Sequence, residues 1–191
     1  MEKETSTLST TRAETIITME TMKAQVNLSE YAFVACSLNL MDASSSVVIN
    51  KKPFGKDVYS ECRLTADEWR ELAKAMSEIR HSALQMNERA NNEGFGGDAT
   101  VLPQNLTKIL SQRMMALLNL FQAPTKTSYV TLAVRPYVID KEQSYKMTKE
   151  GGVTLNFKEL CTLADSTFQI QGTCVISNFL RERKISCDLS L

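Results

Sequence analysis

The stretch from Leu64 to Ile79 returns 91 residues later as Leu155 to Ile170. Four apolar positions recur at that constant offset, Leu64/Leu155, Trp69/Leu160, Leu72/Leu163 and Ile79/Ile170, and Glu68/Glu159 and Ala73/Ala164 are identities. A residue able to cap a helix, Thr65 or Asn156, follows the leucine each time. A repeat of this kind constrains a fold more than any composition, because the same local chemistry has to build the same unit twice. The repeated unit is a strand end, a capped turn and an amphipathic helix. Thr65 and Glu68 have the spacing of a capping box, and Trp69, Leu72, Ala73, Met76, Ile79 and Leu84 trace one apolar face to about Ala90. Trp69 is expected in the core, and Glu68, Glu71 and Glu78 read as a solvated face.

Strand signals precede each copy. Residues 26–40 carry Leu28, Tyr31, Phe33, Val34 and Leu38 among small residues, 42–46 reads as a turn, 47–49 as a second strand, and 51–56 as a basic hairpin tip. Val58, Ser60, Cys62 and Leu64 alternate with Tyr59, Glu61 and Arg63, the period-two pattern of a half-buried strand. Residues 128–139 form the clearest strand, with Tyr129, Thr131, Ala133 and Arg135 on one face; 141–150 is a charged hairpin, 151–155 a short strand, and Asn156 caps a helix to about Phe168, ended by Gly172. Between the copies, the glycines of 91–98 predict a loop, and Leu106, Ile109, Leu110, Met114, Leu117, Leu118 and Phe121 have the spacing of a connecting helix ended by Pro124. Residues 173–191 alternate like two strands, 174–179 and 184–189.

The organisation expected is a Ser/Thr-rich tail over 1–25 with a short helix from residue 12, a first sheet-helix repeat over 26–91, a loop and connecting helix over 92–125, a second repeat over 126–171 and terminal strands over 172–191. The fold class is α+β, two ββββα-like repeats forming an intrachain pseudo-dimer.

Formal net charge is zero, which argues against a protein that grips duplex DNA mainly through phosphates. Local charge is uneven: residues 47–63 and 135–149 are basic, and both lie just before the strand and helix of their repeat. No apolar run reaches bilayer length and the amino terminus lacks the pattern of a signal peptide, so an intracellular protein, nuclear or cytoplasmic, is expected. Five cysteines without a CxxC pair, and a single histidine, His81, on a polar helix stretch, read as reduced structural thiols and an exposed side chain with no metal or other cofactor. No nucleophile-base or paired-carboxylate arrangement can be assembled, so an enzyme is not expected.

The order of elements resembles the positive cofactor four family of transcriptional coactivators. In the second repeat, Arg135-Pro-Tyr137, the lysine-containing loop to Lys149, and Gly151-Gly-Val-Thr-Leu155 before a helix are similar to that family's Arg-x-Tyr strand and its Lys-x-Gly-x-x-Leu segment. In the first repeat, Leu64-Thr-Ala-Asp-Glu-Trp69 resembles its helix start. The second copy reads as lacking two leading strands and the first as lacking the Arg-x-Tyr element. The resemblance implies a single-stranded nucleic-acid-binding module with facing basic and aromatic ridges, and two copies in one chain would be laid out like the Whirly and Pur single-strand binders.

Such a site needs cations that follow the backbone and flat rings on which bases stack. The candidates are Lys51, Lys52, Phe54, Lys56, Tyr59 and Arg63 in the first copy and Arg135, Tyr137, Lys141, Tyr145, Lys146 and Lys149 in the second. The expected function is non-enzymatic binding of single-stranded DNA, or RNA, in transcription or replication, by a chain that self-associates. The alternative is an oligomeric scaffold of the same fold, in which the lysines protect exposed strand edges.

Overall fold

The computed structural model describes residues 21–39, 45–52, 59–92, 105–122 and 128–188. The expected tail and most of its helix, the glycine loop, Pro124, Phe54 and Lys56 lie outside them. The protein is α+β. Strands β1 (Thr21–Asn27), β2 (Ala32–Asn39), β3 (Ser45–Lys51) and β4 (Ser60–Thr65) form an antiparallel sheet in sequential order, followed by helix α1 (Ala66–Asn92). A second antiparallel sheet contains β5 (Leu106–Ile109), β6 (Met114–Gln122), β7 (Ser128–Ile139), β8 (Tyr145–Met147) and β9 (Val153–Asn156), followed by helix α2 (Phe157–Asp188). β7 pairs with β9 along its first half and with the short β8 along its second.

Two expectations are overturned. The apolar stripe of 106–121 is a β-hairpin, β5–β6, and not a connecting helix. Apolar residues line both sides of β6, with Met114, Ala116 and Leu118 buried inward and Met115 and Leu117 on the other face, so the run carries no clean period. These are the two leading strands the second copy was read as lacking. Residues 173–188 continue α2 in place of two strands, and Gly172 sits inside the helix with open space around it. An exposed helical glycine costs about 1 kcal/mol relative to alanine, too little to stop a helix that is packed on both sides of it.

Smaller shifts follow. Residues 21–25 belong to β1 and not to a helix, and the expected strand of 26–40 is broken by a turn at Leu28–Tyr31, where the Leu28 and Ser29 amides both donate to Ala32 O. Leu84 is exposed, and Ala83 and Met86 take its place on the buried face of α1. His81 is exposed and meets Gln85 on its own helix.

Both helices pack against both sheets. α1 touches β3 and β4 of its own sheet and β5, β6 and β7 of the other; α2 touches β7 and β9 and also β1, β2 and β3. Trp69, Leu72, Met76, Ile79 and Ala83 of α1, with Leu160, Leu163, Ile170 and Cys174 of α2, join Val34, Ile49, Cys62, Leu118, Leu132 and Val134 in one continuous core. Burying each such large side chain stabilises by about 1.5–3 kcal/mol.

Candidate nucleic-acid interface

A pair of buried glutamates ties the two sheet-helix units together beside the shared core. In the first capping box, Thr65 N–H donates to Glu68 Oε2 (2.8 Å) and Glu68 N–H donates to Thr65 Oγ1 (3.2 Å). The other unit completes this carboxylate: Ser111 Oγ donates to Oε1 (2.7 Å) and Arg113 to Oε2 (2.5 Å). The second box repeats the arrangement atom for atom. Asn156 N–H donates to Glu159 Oε2 (2.9 Å), Glu159 N–H to Asn156 Oδ1 (2.9 Å), Ser29 Oγ to Oε1 (3.0 Å) and Lys51 Nζ to Oε2 (2.6 Å).

The expectation of a solvated Glu68 therefore fails, because Glu68 is 3% and Glu159 2% exposed. A capping glutamate half-occupied by its own helix still has acceptor capacity, and here the facing turn fills it. Burial pushes the Glu68 carboxyl up, but the Thr65 amide, the Ser111 hydroxyl and the Arg113 guanidinium outweigh it and hold the group below its ordinary value. Further ties between the units run from Lys108 to Glu78 (2.6 Å) and from Arg80 to Asp165 (3.1 Å).

Exposed aromatic and cationic side chains stand on the faces of the sheets turned away from the core. On the first sheet Tyr59 is 47% exposed and meets Phe33 edge to face (centroids 5.9 Å), while Arg63 stands nearby on the same face, paired with its exposed neighbour Glu61 (3.0 Å). On the second, Tyr145 is 53% exposed against Tyr137 (5.4 Å), with exposed Lys149 and Lys141 in the flanking turns. Each exposed ring is thus held by a second ring and keeps an open surface, and each sheet carries cations on exposed positions.

Other candidates are engaged within the fold. Lys51 serves the Glu159 clamp, and Lys52 is half-buried with its backbone N–H on Tyr31 O. Arg135 donates to Lys149 O (2.9 Å) and Thr154 Oγ1 (3.1 Å), and Tyr137 donates its hydroxyl to Ser111 O (3.0 Å). Arg135 reaches those partners by lying across Gly152, where a Cβ would stand 2.2 Å from Arg135 Cγ and 2.7 Å from Val134 O. Lys146 pairs with Asp140 (2.8 Å), whose carboxyl is lowered to about 2 by Lys146 and by the Ser144 hydroxyl and amide.

Arg113 is the residue of this arrangement that sequence reading missed. It is 55% exposed, grips Glu68, and also donates to the backbone carbonyl of Arg63 (3.4 Å), which links the β5–β6 turn to β4 of the other unit. A signal for it exists: Leu28-Ser29-Glu30 and Leu110-Ser111-Gln112 repeat at an offset of 82, and both serines accept from an amide two residues on (3.1 Å in each).

Among the described residues no cluster of His, Cys, Asp and Glu is arranged to hold a metal, and no helix is long and apolar enough to cross a membrane. Comparison of the chain with protein-family models gives no match, and comparison with curated proteins gives none.

Proposed function

We propose that this protein is a non-enzymatic binder of single-stranded nucleic acid, DNA in preference to RNA, acting where strands are exposed in transcription or replication. The observation that carries the reading is the pair of half-exposed tyrosines, Tyr59 and Tyr145, each braced edge-on by another ring on the outer face of a separate sheet with cations close by. A braced ring loses little freedom when a base stacks on it, and each such stack contributes about 1–3 kcal/mol without reading sequence. Net neutrality fits a binder that relies on stacking as much as on phosphate contacts. The two sheet-helix units, tied by matched clamps, act in this reading as a pseudo-dimer within one chain that presents two such faces.

Fluorescence anisotropy of the full chain with labelled single-stranded DNA, single-stranded RNA and duplex DNA, each of about 20 nucleotides, tests this. Salt-sensitive binding that favours the single strands is expected. Equal affinity for duplex, or no binding at micromolar protein, would overturn it.

A second reading, self-association as a scaffold, has one observation in its favour: Phe168 is 90% exposed beside a groove between the helices. Ala73, Met76, Ser77 and Arg80 line it from α1, and Ala164, Thr167, Phe168 and Gln171 occupy the positions 91 residues on. A face so matched suits an isologous contact. Light scattering of the chain and of Phe168→Ser reads it directly: a dimer that the variant abolishes supports it, and a monomer in both rejects it.

A further inference from the structure

Among the described residues, Cys36 and Cys174 form a sulfur pair that spans the two units. Cys36 lies on β2 of the first sheet and Cys174 on α2 of the second unit, 138 residues apart in sequence, with their sulfurs 3.4 Å from each other and both side chains 4% exposed. Cys62 and Cys161 are also free cysteines among the described residues. The positions matched to them by offset, Leu118 and Ala83, are apolar residues buried in the same core. Packing alone therefore does not require two cysteines here.

We infer that Cys36 and Cys174 form a reversible disulfide under two-electron oxidation, a covalent lock between the first sheet and the second unit's helix. The sulfurs need to approach by a little over an ångström, since a disulfide bond is about 2.05 Å long. The two thiols share a hydrogen bond in which either sulfur can donate; that contact draws the Cys36 thiol below its ordinary value, and the same contact, together with burial, pushes Cys174 up. Cys36 is thus the attacking sulfur. With a peroxide as oxidant, the Cys36 thiolate attacks one oxygen, the O–O bond breaks, and water leaves after protonation, giving a sulfenic acid. Cys174 then attacks that sulfur through its own, the S–O bond breaks, and a second water leaves with the Cys174 proton. Two thiols are oxidised by two electrons and one peroxide is reduced to two waters. The step is independent of nucleic-acid binding.

The full chain, folded and treated with hydrogen peroxide, is alkylated, unfolded and digested without reductant. A Cys36–Cys174 linked peptide is expected, together with a midpoint of thermal unfolding raised by on the order of 10 °C and restored by dithiothreitol, because the bond closes a long loop of the unfolded chain. In Cys174→Ala, which places at 174 the residue found at position 83, Cys36 is expected to accumulate as a sulfenic acid that dimedone traps. Recovery of Cys36 and Cys174 both as alkylated thiols, linkage of either to Cys62, Cys161 or Cys187, or no dimedone adduct on Cys36 in the variant would overturn the inference.

Discussion

The two glutamate clamps use the same four kinds of contact but differ in the cation. Glu68 is met by Arg113, whose side chain is 55% exposed, and Glu159 by Lys51, which is 21% exposed. Arg113 comes from the β5–β6 turn, next to the serine that shares its carboxylate, whereas Lys51 comes from the end of β3, a different element from Ser29. A buried carboxylate with one amide and one hydroxyl still requires a counter-charge, and the sequence supplies it from whichever strand end is near. The exposed guanidinium has water to fall back on and the more buried ammonium has less. The fold should therefore depend more on the second clamp than on the first.

Removing each carboxylate is the strongest test of that difference. Glu159→Ala leaves the Lys51 ammonium poorly solvated and is expected to cost about 3–5 kcal/mol, against about 2–3 kcal/mol for Glu68→Ala, both read from urea unfolding. Equal losses would show that the cation's burial is immaterial. Because the folded Glu68 carboxyl is held below its unfolded value, its stabilisation is complete above the unfolded value, about 4.3, and is lost as pH falls through the folded one. Arg113→Met should move the acid unfolding limb of the protein to higher pH, and an unmoved limb would remove Arg113 from the account.

The β7–β9 edge offers the next contrast. Gly152 makes room for Arg135, while the matched pair in the first unit is exposed Glu61 beside the shorter Asn50. Gly152→Ala puts a Cβ into backbone atoms and should cost about 1–3 kcal/mol in thermal or urea unfolding, with Glu61→Ala within about 0.5 kcal/mol of the parent. A harmless Gly152→Ala would mean that Arg135 does not lie across it.

Binding variants sharpen the comparison of the outer faces. Tyr59→Ala and Tyr145→Ala are each expected to weaken single-strand binding by about 1–3 kcal/mol, roughly 5- to 150-fold in Kd, without changing stability, since both rings are half exposed. If only one of them weakens binding, the faces are not equivalent. Lys149→Ala should reduce the salt slope by about 0.7, the share of a single phosphate on a single strand.

Much of this fold is legible along the chain wherever chemistry is local. Thr65 with Glu68 and Asn156 with Glu159 mark both helix starts, and β4, β7 and the buried face of α1 as far as Ile79 follow from spacing alone. What escapes is non-local. The match between units shifts from 82 at β1–β2 to 85 at β3 and 91 at β4 and the helix, because the second unit is longer in two loops, one of which holds β8; only the last block is long enough to see. The second duty of Glu68, and with it Arg113, depends on a turn more than forty residues away. For the candidate site, Tyr59, Arg63, Tyr145 and Lys149 stand on exposed positions. Lys51, Arg135 and Tyr137 come from equally suggestive segments but serve the fold, a distinction that composition at a hairpin cannot make.

The most direct test of the central claim is photo-crosslinking of the full chain to a bromodeoxyuridine-substituted single strand, with the adducts mapped by mass spectrometry. The account predicts adducts on the outer sheet faces, at Phe33 or Tyr59 and at Tyr137 or Tyr145. Adducts confined to the helix face around Phe168, or none under conditions where duplex binds equally well, would contradict it.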